Sequence, residues 1–284
     1  RYFESSKIQT NGVIINQLCE LPSHWSSTRT FDEWLTSEGI TGISSIDTRS
    51  LTLKIRESGV MMGLISYDPD NNDSDLNSVL DKSQTYDALE FFKHTSTKKP
   101  KTYGTANDKV VILDFGVKNG IIRNILQRSY SAVIVPYNYT FEQIMEYNPK
   151  GILISNGPGD PEHNVHLINF IRKLINNSIN IPIFGICLGH QSIGQAFNGR
   201  IITANLIMHG KTSQIYHNKN EIFSNVNSPF VATRYHSLVI ERKTLPECLE
   251  ITAWSKDDNG IEEIMGVKHK EYPTYGLQFH PESI

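Results

Sequence analysis

Apolar positions in the second half of the chain come in short, bounded runs. Val110-Val-Ile-Leu113, Ala132-Val-Ile-Val135, Gly151-Ile-Leu-Ile154 and Ile181-Pro-Ile-Phe-Gly-Ile186 are each about the length of one strand. Stretches of helical period lie between them, at Ile121 to Arg128 and His166 to Ile175. Buried runs alternating with helices predict parallel βαβ units. Past residue 200 the runs close up, at Ile201-Ile202, Ser237 to Ile240, Glu250 to Ala253, Ile264 to Val267 and Gly276 to Phe279. These predict shorter strands that continue or flank the same sheet. The expected fold class is α/β, a mostly parallel sheet flanked by helices, preceded by a smaller mixed α/β domain.

The first hundred residues have a different rhythm. Gly12-Val13-Ile14-Ile15 is a short apolar stretch, Trp25 to Gly39 has room for a helix, and Leu51 to Gly59 reads as a short helix with a glycine cap. Asp68 to Asp75 is nearly all Asp, Asn, Ser and Pro, which is loop chemistry. Residues 93–109 hold Lys98-Lys99-Pro100-Lys101 and Gly104 and read as a polar connector. The expected domains are therefore 1–105 and 106–284. A length of 284 residues suits two domains.

Composition narrows the class. With 38% hydrophobic and 20% charged residues the chain reads as a globular protein, and 27 basic against 30 acidic groups give −3. That charge supplies no basic field for a nucleic acid backbone. Cys19, Cys187 and Cys248 are far apart and odd in number, which argues against a disulfide framework or a zinc knuckle and suits a reducing compartment. The apolar runs fall well short of the ~20 residues a membrane helix needs. A cytoplasmic protein is expected, with an organelle left open because the chain begins at Arg1 and a leader could have preceded it.

The sharpest local feature is Gly185-Ile-Cys187-Leu-Gly189-His190-Gln191, where an apolar run meets a helix. A nucleophile flanked by glycines at i−2 and i+2 on a strand-to-helix turn matches the elbow of serine hydrolases. The helix N-terminus is expected to favour a thiolate, and the Leu188 N–H to donate to an oxyanion. The bland alternative is a small buried core cysteine. Gln278-Phe-His280-Pro-Glu282 supplies a base at the end of another run, with a carboxylate two residues on to set its tautomer. Ser155-Asn-Gly157-Pro-Gly159-Asp160-Pro161 fixes an unusual backbone and offers Gly157 as second oxyanion donor; alone, such a loop is usually just a tight turn. His209-Gly-Lys211-Thr212 fails as a phosphate loop, because its first glycine would fall at Asn205. Glu162 likewise breaks a dinucleotide fingerprint begun by Gly157 and Gly159. Neither an ATP nor an NAD site is therefore expected, and no metal site. A hydrolytic triad without energy coupling suggests a subunit that feeds another.

Together these three motifs resemble the triad glutamine amidotransferases. The resemblance implies that Cys187 attacks the glutamine side-chain amide, His280 is base and acid, and Glu282 orients it. It also implies oxyanion donors at Gly157 and Leu188 and a substrate contact from Gln191, with glutamate and ammonia as products. Over residues 1–185 the chain looks like the small chain of carbamoyl-phosphate synthase. Ile46-Asp-Thr-Arg-Ser-Leu-Thr52, Arg56-Glu-Ser-Gly59, Asp114-Phe-Gly116-Val-Lys118 and Arg123-Asn-Ile-Leu126 carry that likeness. Relative to that family, the chain is expected to lack an initial segment, with a serine that helps hold glutamine, and a last helix. After Gln191 the pattern shifts. Ser192 to Phe197, His209 to Ser213, Arg234-Tyr-His-Ser-Leu238 and His280 to Ile284 resemble the glutaminase component of anthranilate or aminodeoxychorismate synthase. By that pattern, backbone groups of Ser237 and Leu238 hold the α-amino and α-carboxylate ends of glutamine, while His209, Lys211 and Tyr235 face a partner. The implied partner is a synthase large chain that receives ammonia and carries the ATP and metal. A silent docking module and a cysteine peptidase on the same triad stand as alternatives.

Overall fold

The computed structural model describes residues 3–58, 61–68, 70, 72–83, 91–177, 180–219, 221–257 and 260–283. The chain divides into two units, residues 1–89 and 90–284. In the first, strands β1 (Gly12–Ile14) and β2 (Thr41–Ile43) pair in parallel, with helices α1 (Phe31–Ser37), α2 (Thr48–Ser58) and α3 (Asp73–Lys82). Helix α1 is shorter than the Trp25 to Gly39 stretch because Thr30 starts it. The Thr30 hydroxyl accepts from the Glu33 N–H, and the Glu33 carboxylate accepts from the Thr30 N–H. Its one buried side chain, Leu35, packs closely over β2, where a Cβ at Gly42 would lie 3.1 Å from its tip.

Two local readings change. Helix α2 begins at Thr48, ahead of the expected Leu51, because the Asp47 carboxylate accepts from the Ser50 N–H at 3.0 Å; its expected glycine cap, Gly59, lies outside the described residues. The Asp- and Asn-rich stretch read as loop also starts a helix. Asn72 accepts from the Asp75 N–H at 3.0 Å and nucleates α3, since the residues that favour turns favour N-caps for the same reason.

The second unit is built on a ten-stranded sheet, in the order β3-β5-β4-β6-β7-β12-β11-β10-β8-β9. Strands β4 (Lys109–Asp114), β5 (Ser131–Pro136), β6 (Gly151–Ile154), β7 (Ile183–Ile186) and β12 (Thr274–Leu277) form its parallel centre. Strands β8 (Ile201–His217), β9 (Phe230–Ile240), β10 (Leu249–Lys256) and β11 (Glu262–His269) extend it in antiparallel fashion. Helices α4 (Phe92–Thr95), α5 (Asn119–Gln127), α6 (Phe141–Met145), α7 (Val165–Asn176) and α8 (Leu188–Ala196) complete the unit. The main core joins Val111, Leu113 and Phe115 to Ile152, Ile154, Leu167, Ile171 and Ile193. The stretch read as connector contributes to this unit. Just before it, Phe92 is buried in this unit's core, and within it β3 (Lys101–Tyr103) pairs with β5 at the sheet edge. The units accordingly meet at 89/90, ahead of the 105/106 boundary that composition suggests. Among the described residues no helix is long and apolar enough to cross a membrane.

One topological feature positions the site. The last strand, β12, inserts beside β7, with Leu277 level with Ile186. Two segments ninety residues apart in sequence thus end together at the carboxyl edge of the parallel strands, where crevices in such sheets form.

Candidate active site

Cys187 follows β7 and caps α8 with φ 52° and ψ −99°, a left-handed backbone for a residue with a side chain. The flanking glycines make that turn possible. A Cβ at Gly185 would meet the Gly189 carbonyl carbon at 2.5 Å, and one at Gly189 would meet the Ile154 oxygen at 2.5 Å. The Cys187 N–H donates to Leu277 O at 2.8 Å, tying the elbow to β12. Cys187 is buried, and burial pushes its thiol up to about 12, with the Glu282 charge adding to the effect. The Leu188 N–H, Lys118 and Gln278 pull the other way but do not prevail. The Leu188 N–H at the helix N-terminus does favour a thiolate, as expected, but desolvation of the closed elbow opposes it more strongly.

Beyond β12 the chain places the base. His280 Nδ1 and Glu282 Oε1 are 2.7 Å apart, both side chains nearly fully buried. With Nδ1 engaged by the carboxylate, His280 Nε2 makes no hydrogen bond within the protein and is the nitrogen left to take a proton. Burial pushes the Glu282 carboxyl up. The hydrogen bond to His280 and the charges of His280 and Lys118 outweigh it, and the group lies below its ordinary range.

Lys118 is a residue that sequence reasoning quoted within a motif but gave no role. Its Nζ is 3.1 Å from Glu282 Oε1, 2.8 Å from Ser283 Oγ and 4.6 Å from the Tyr235 ring centroid. The Asp114-Phe-Gly116 turn puts it there. Asp114 Oδ1 accepts from the Gly116 and Val117 N–H groups at 3.0 and 2.9 Å, and Lys118 follows as the N-cap of α5. An aspartate closing a turn at the end of a parallel strand was the available signal.

The loop expected to supply an oxyanion donor rests on the same turn. The Asn156 amide donates to Gly116 O at 3.1 Å, and Ser155 Oγ accepts from the Phe115 N–H at 3.0 Å. A Cβ at Gly157 would meet both Phe115 Cβ and Phe115 O at 2.6 Å, so only glycine fits.

On the far side, Gln191 Nε2 donates to Leu238 O at 2.8 Å and to Gln278 Oε1 at 3.2 Å. In the β8–β9 pairing Thr203 is opposite Leu238 and Met208 opposite His236, so Ser237 has no partner in the ladder. His209 Nε2 is 3.1 Å from Ser237 Oγ, and Lys211 is exposed. Tyr235 is partly exposed and packs edge-on against the His280 ring at 5.1 Å, so it braces the base as well as reaching the surface. A buried network that sequence reasoning missed holds this strand. Arg234 donates to His236 Nε2 at 3.0 Å, to Ser213 and Ser255 at 3.2 Å each, and to Glu263. Among the described residues no group of His, Cys, Asp and Glu could hold a metal ion.

Known proteins resemble the chain along nearly its whole length. Residues 111–284 match the class I glutamine amidotransferase family, and residues 1–65 match the carbamoyl-phosphate synthase small-chain domain. The carbamoyl phosphate synthase small chain of Saccharolobus solfataricus is 37% identical over 99% of this chain and 72% of its own length. That of Methanocaldococcus jannaschii is 32% identical over 99% and 75%. Among solved structures, a glutamine amidotransferase from Thermotoga maritima superposes with a TM-score of 0.50 at 16% identity, covering 63% of this chain and 77% of that one.

Proposed function

We infer the reaction from one premise: the chain belongs to the carbamoyl phosphate synthase small-chain family and carries a class I glutamine amidotransferase domain. It is the glutaminase subunit, hydrolysing glutamine to glutamate and ammonia, and the proposed acceptor of the ammonia is a synthase large chain. The observation that carries the chemistry is the buried His280–Glu282 pair beside a cysteine elbow.

In the proposed cycle His280 Nε2 takes the Cys187 proton as sulfur attacks the side-chain amide carbon of glutamine. The developing oxyanion takes N–H groups of Gly157 and Leu188. His280 then gives the proton to the departing nitrogen, and ammonia leaves. Water, deprotonated by His280, attacks the thioester, the C–S bond breaks, and His280 returns the proton to the expelled sulfur. Glu282 holds the ring in one tautomer throughout and offsets its charge.

The same reading assigns ATP and its metal to the large chain. Three unpaired cysteines support the cytoplasm as the proposed compartment. The relatives match over 99% of the chain, including the part after Gln191 that resembles anthranilate-type glutaminases, so those residues read as variation within one family. The test is glutamate release by the chain alone, with a carbamoyl-phosphate synthase large chain, and with a chorismate-using synthase chain. Stimulation by the large chain is expected; stimulation by the chorismate enzyme alone would reassign the partner. Peptide cleavage without glutamine hydrolysis, or turnover unaffected by Cys187→Ser, would sink the reaction itself.

A further inference from the structure

Gln278 lies two residues before the base and is fully buried, with its side-chain Nε2 3.6 Å from Cys187 Sγ. Which end of an amide faces the sulfur follows from what its other end must do. Leu238 O can only accept, so Gln191 presents its NH2 to it at 2.8 Å. The second hydrogen on that nitrogen reaches Gln278 Oε1 at 3.2 Å. An Oε1 occupied as acceptor turns the Gln278 NH2 toward the sulfur. A backbone carbonyl on β9 thereby fixes, through two buried glutamines, the donor that meets the nucleophile.

We propose that Gln278 is a further catalytic residue, whose side-chain N–H stabilises anionic sulfur, and that Gln191 positions it; the proposal rests on the glutaminase reading. The donor acts twice per cycle. It acts first when the S–H bond breaks and the proton passes to His280 Nε2. It acts again when the C–S bond of the thioester breaks and its electron pair returns to sulfur. Between those steps the sulfur is neutral and the N–H matters less, so the interaction favours the charged states over the resting one, as catalysis requires. The surroundings explain why such a donor is needed. Burial and the nearby Glu282 carboxylate both oppose a negative sulfur, and the Leu188 N–H and Lys118 are the other groups that favour it. The relay also begins at Leu238, beside the backbone expected to hold the α-end of glutamine.

The test uses the chain assembled with the large chain, in wild-type, Gln278→Met and Gln191→Met forms. Methionine keeps much of the glutamine volume without a donor. The readouts are the pH profile of Cys187 alkylation by iodoacetamide, followed on its own peptide, and the kcat and KM for glutamine. Gln278→Met should displace the alkylation profile upward by about one pH unit and lower kcat about tenfold with KM little changed. Gln191→Met, which leaves the donor but frees its orientation, should displace the profile in the same direction by less. A Gln278→Met profile that superimposes on wild type overturns the proposal, and so does a change confined to KM. Should Gln278→Met fail to fold, the Gln191→Met profile decides: displaced supports the relay, unmoved overturns it. A wild-type complex that releases no glutamate would instead sink the glutaminase reading.

Discussion

Lys118 Nζ sits 3.1 Å from Glu282 Oε1, the same oxygen that holds His280 Nδ1 at 2.7 Å. One carboxylate oxygen thus serves the base and a lysine delivered from a different βα turn. Burial raises the Glu282 carboxyl; His280 first and the lysine after it hold the group below its ordinary range. Replacing Lys118 with Met should let the Glu282 carboxyl rise, weaken the pair and lower kcat for glutamine about tenfold, the equivalent of about one pKa unit. The acid limb of the kcat–pH profile should move upward in parallel. Lys118→Arg should recover most of the loss, because charge at that place is what matters. An unchanged acid limb in Lys118→Met would show that the lysine only packs against Tyr235.

How far the sequence reaches can be judged from these residues. Cys187, His280 and Glu282 stand inside short motifs whose chemistry is local; β7 lies within the apolar run Ile181 to Ile186, while β12 overlaps only the start of the run read at Gly276 to Phe279. The meeting of those two strand ends depends on β12 inserting beside β7, which no local pattern encodes. Lys118 and Gln278 act through tertiary juxtaposition, and residue type alone gave them no role. Helix α3 and strand β3 went unread because Asp, Asn and Lys favour caps, edges and loops alike. The helix terminus that favours a thiolate is legible in sequence, whereas the burial that opposes it is not.

A thiol pushed up to about 12 makes a prediction about labelling order. At pH 7.5, iodoacetamide should modify exposed Cys19 well before buried Cys187 in the isolated chain. A glutamine-analogue electrophile should reverse that order, because docking delivers it to the elbow. Peptide mapping at early times reads both. Fast modification of Cys187 by iodoacetamide would mean that a thiolate is already present, and equal labelling of all cysteines by the analogue would favour a silent docking module.

Gly157 offers a test of the oxyanion loop. A Cβ there would come within 2.6 Å of Phe115 Cβ and Phe115 O, so Gly157→Ala must shift the loop or the Asp114-Phe-Gly116 turn. Loss of one oxyanion donor should lower kcat about a hundredfold. Binding of glutamine should change less, because the groups expected to hold its α-end lie on β9. Steady-state kinetics with a thermal melt separates the outcomes. Wild-type kcat in a folded variant would remove Gly157 from the mechanism.

Two buried histidines should make stability depend on pH above the range where carboxylates titrate. Burial lowers His190 from its ordinary 6.5 to about 4, and burial with the charge of Arg234 lowers His236 to about 3. Below pH 6.5 the unfolded chain binds a proton on each ring that the folded chain refuses. The folded state therefore holds its full advantage above 6.5 and loses it progressively toward the folded values. At pH 5 the loss is about 2 kcal/mol for each histidine, the order of magnitude for about one and a half pH units. His166 and His269 shift in the same direction, whereas the Glu282 contribution is lost only below its ordinary 4.5. Denaturant midpoints measured between pH 7.5 and 5 should fall as the solution is acidified. His190→Asn should lower stability at pH 7.5 yet flatten the dependence, since asparagine takes up no proton in either state. A His190→Asn slope equal to wild type would show that the ring is charged in the folded protein, and that its place beneath Gly276 is far wetter than its burial implies.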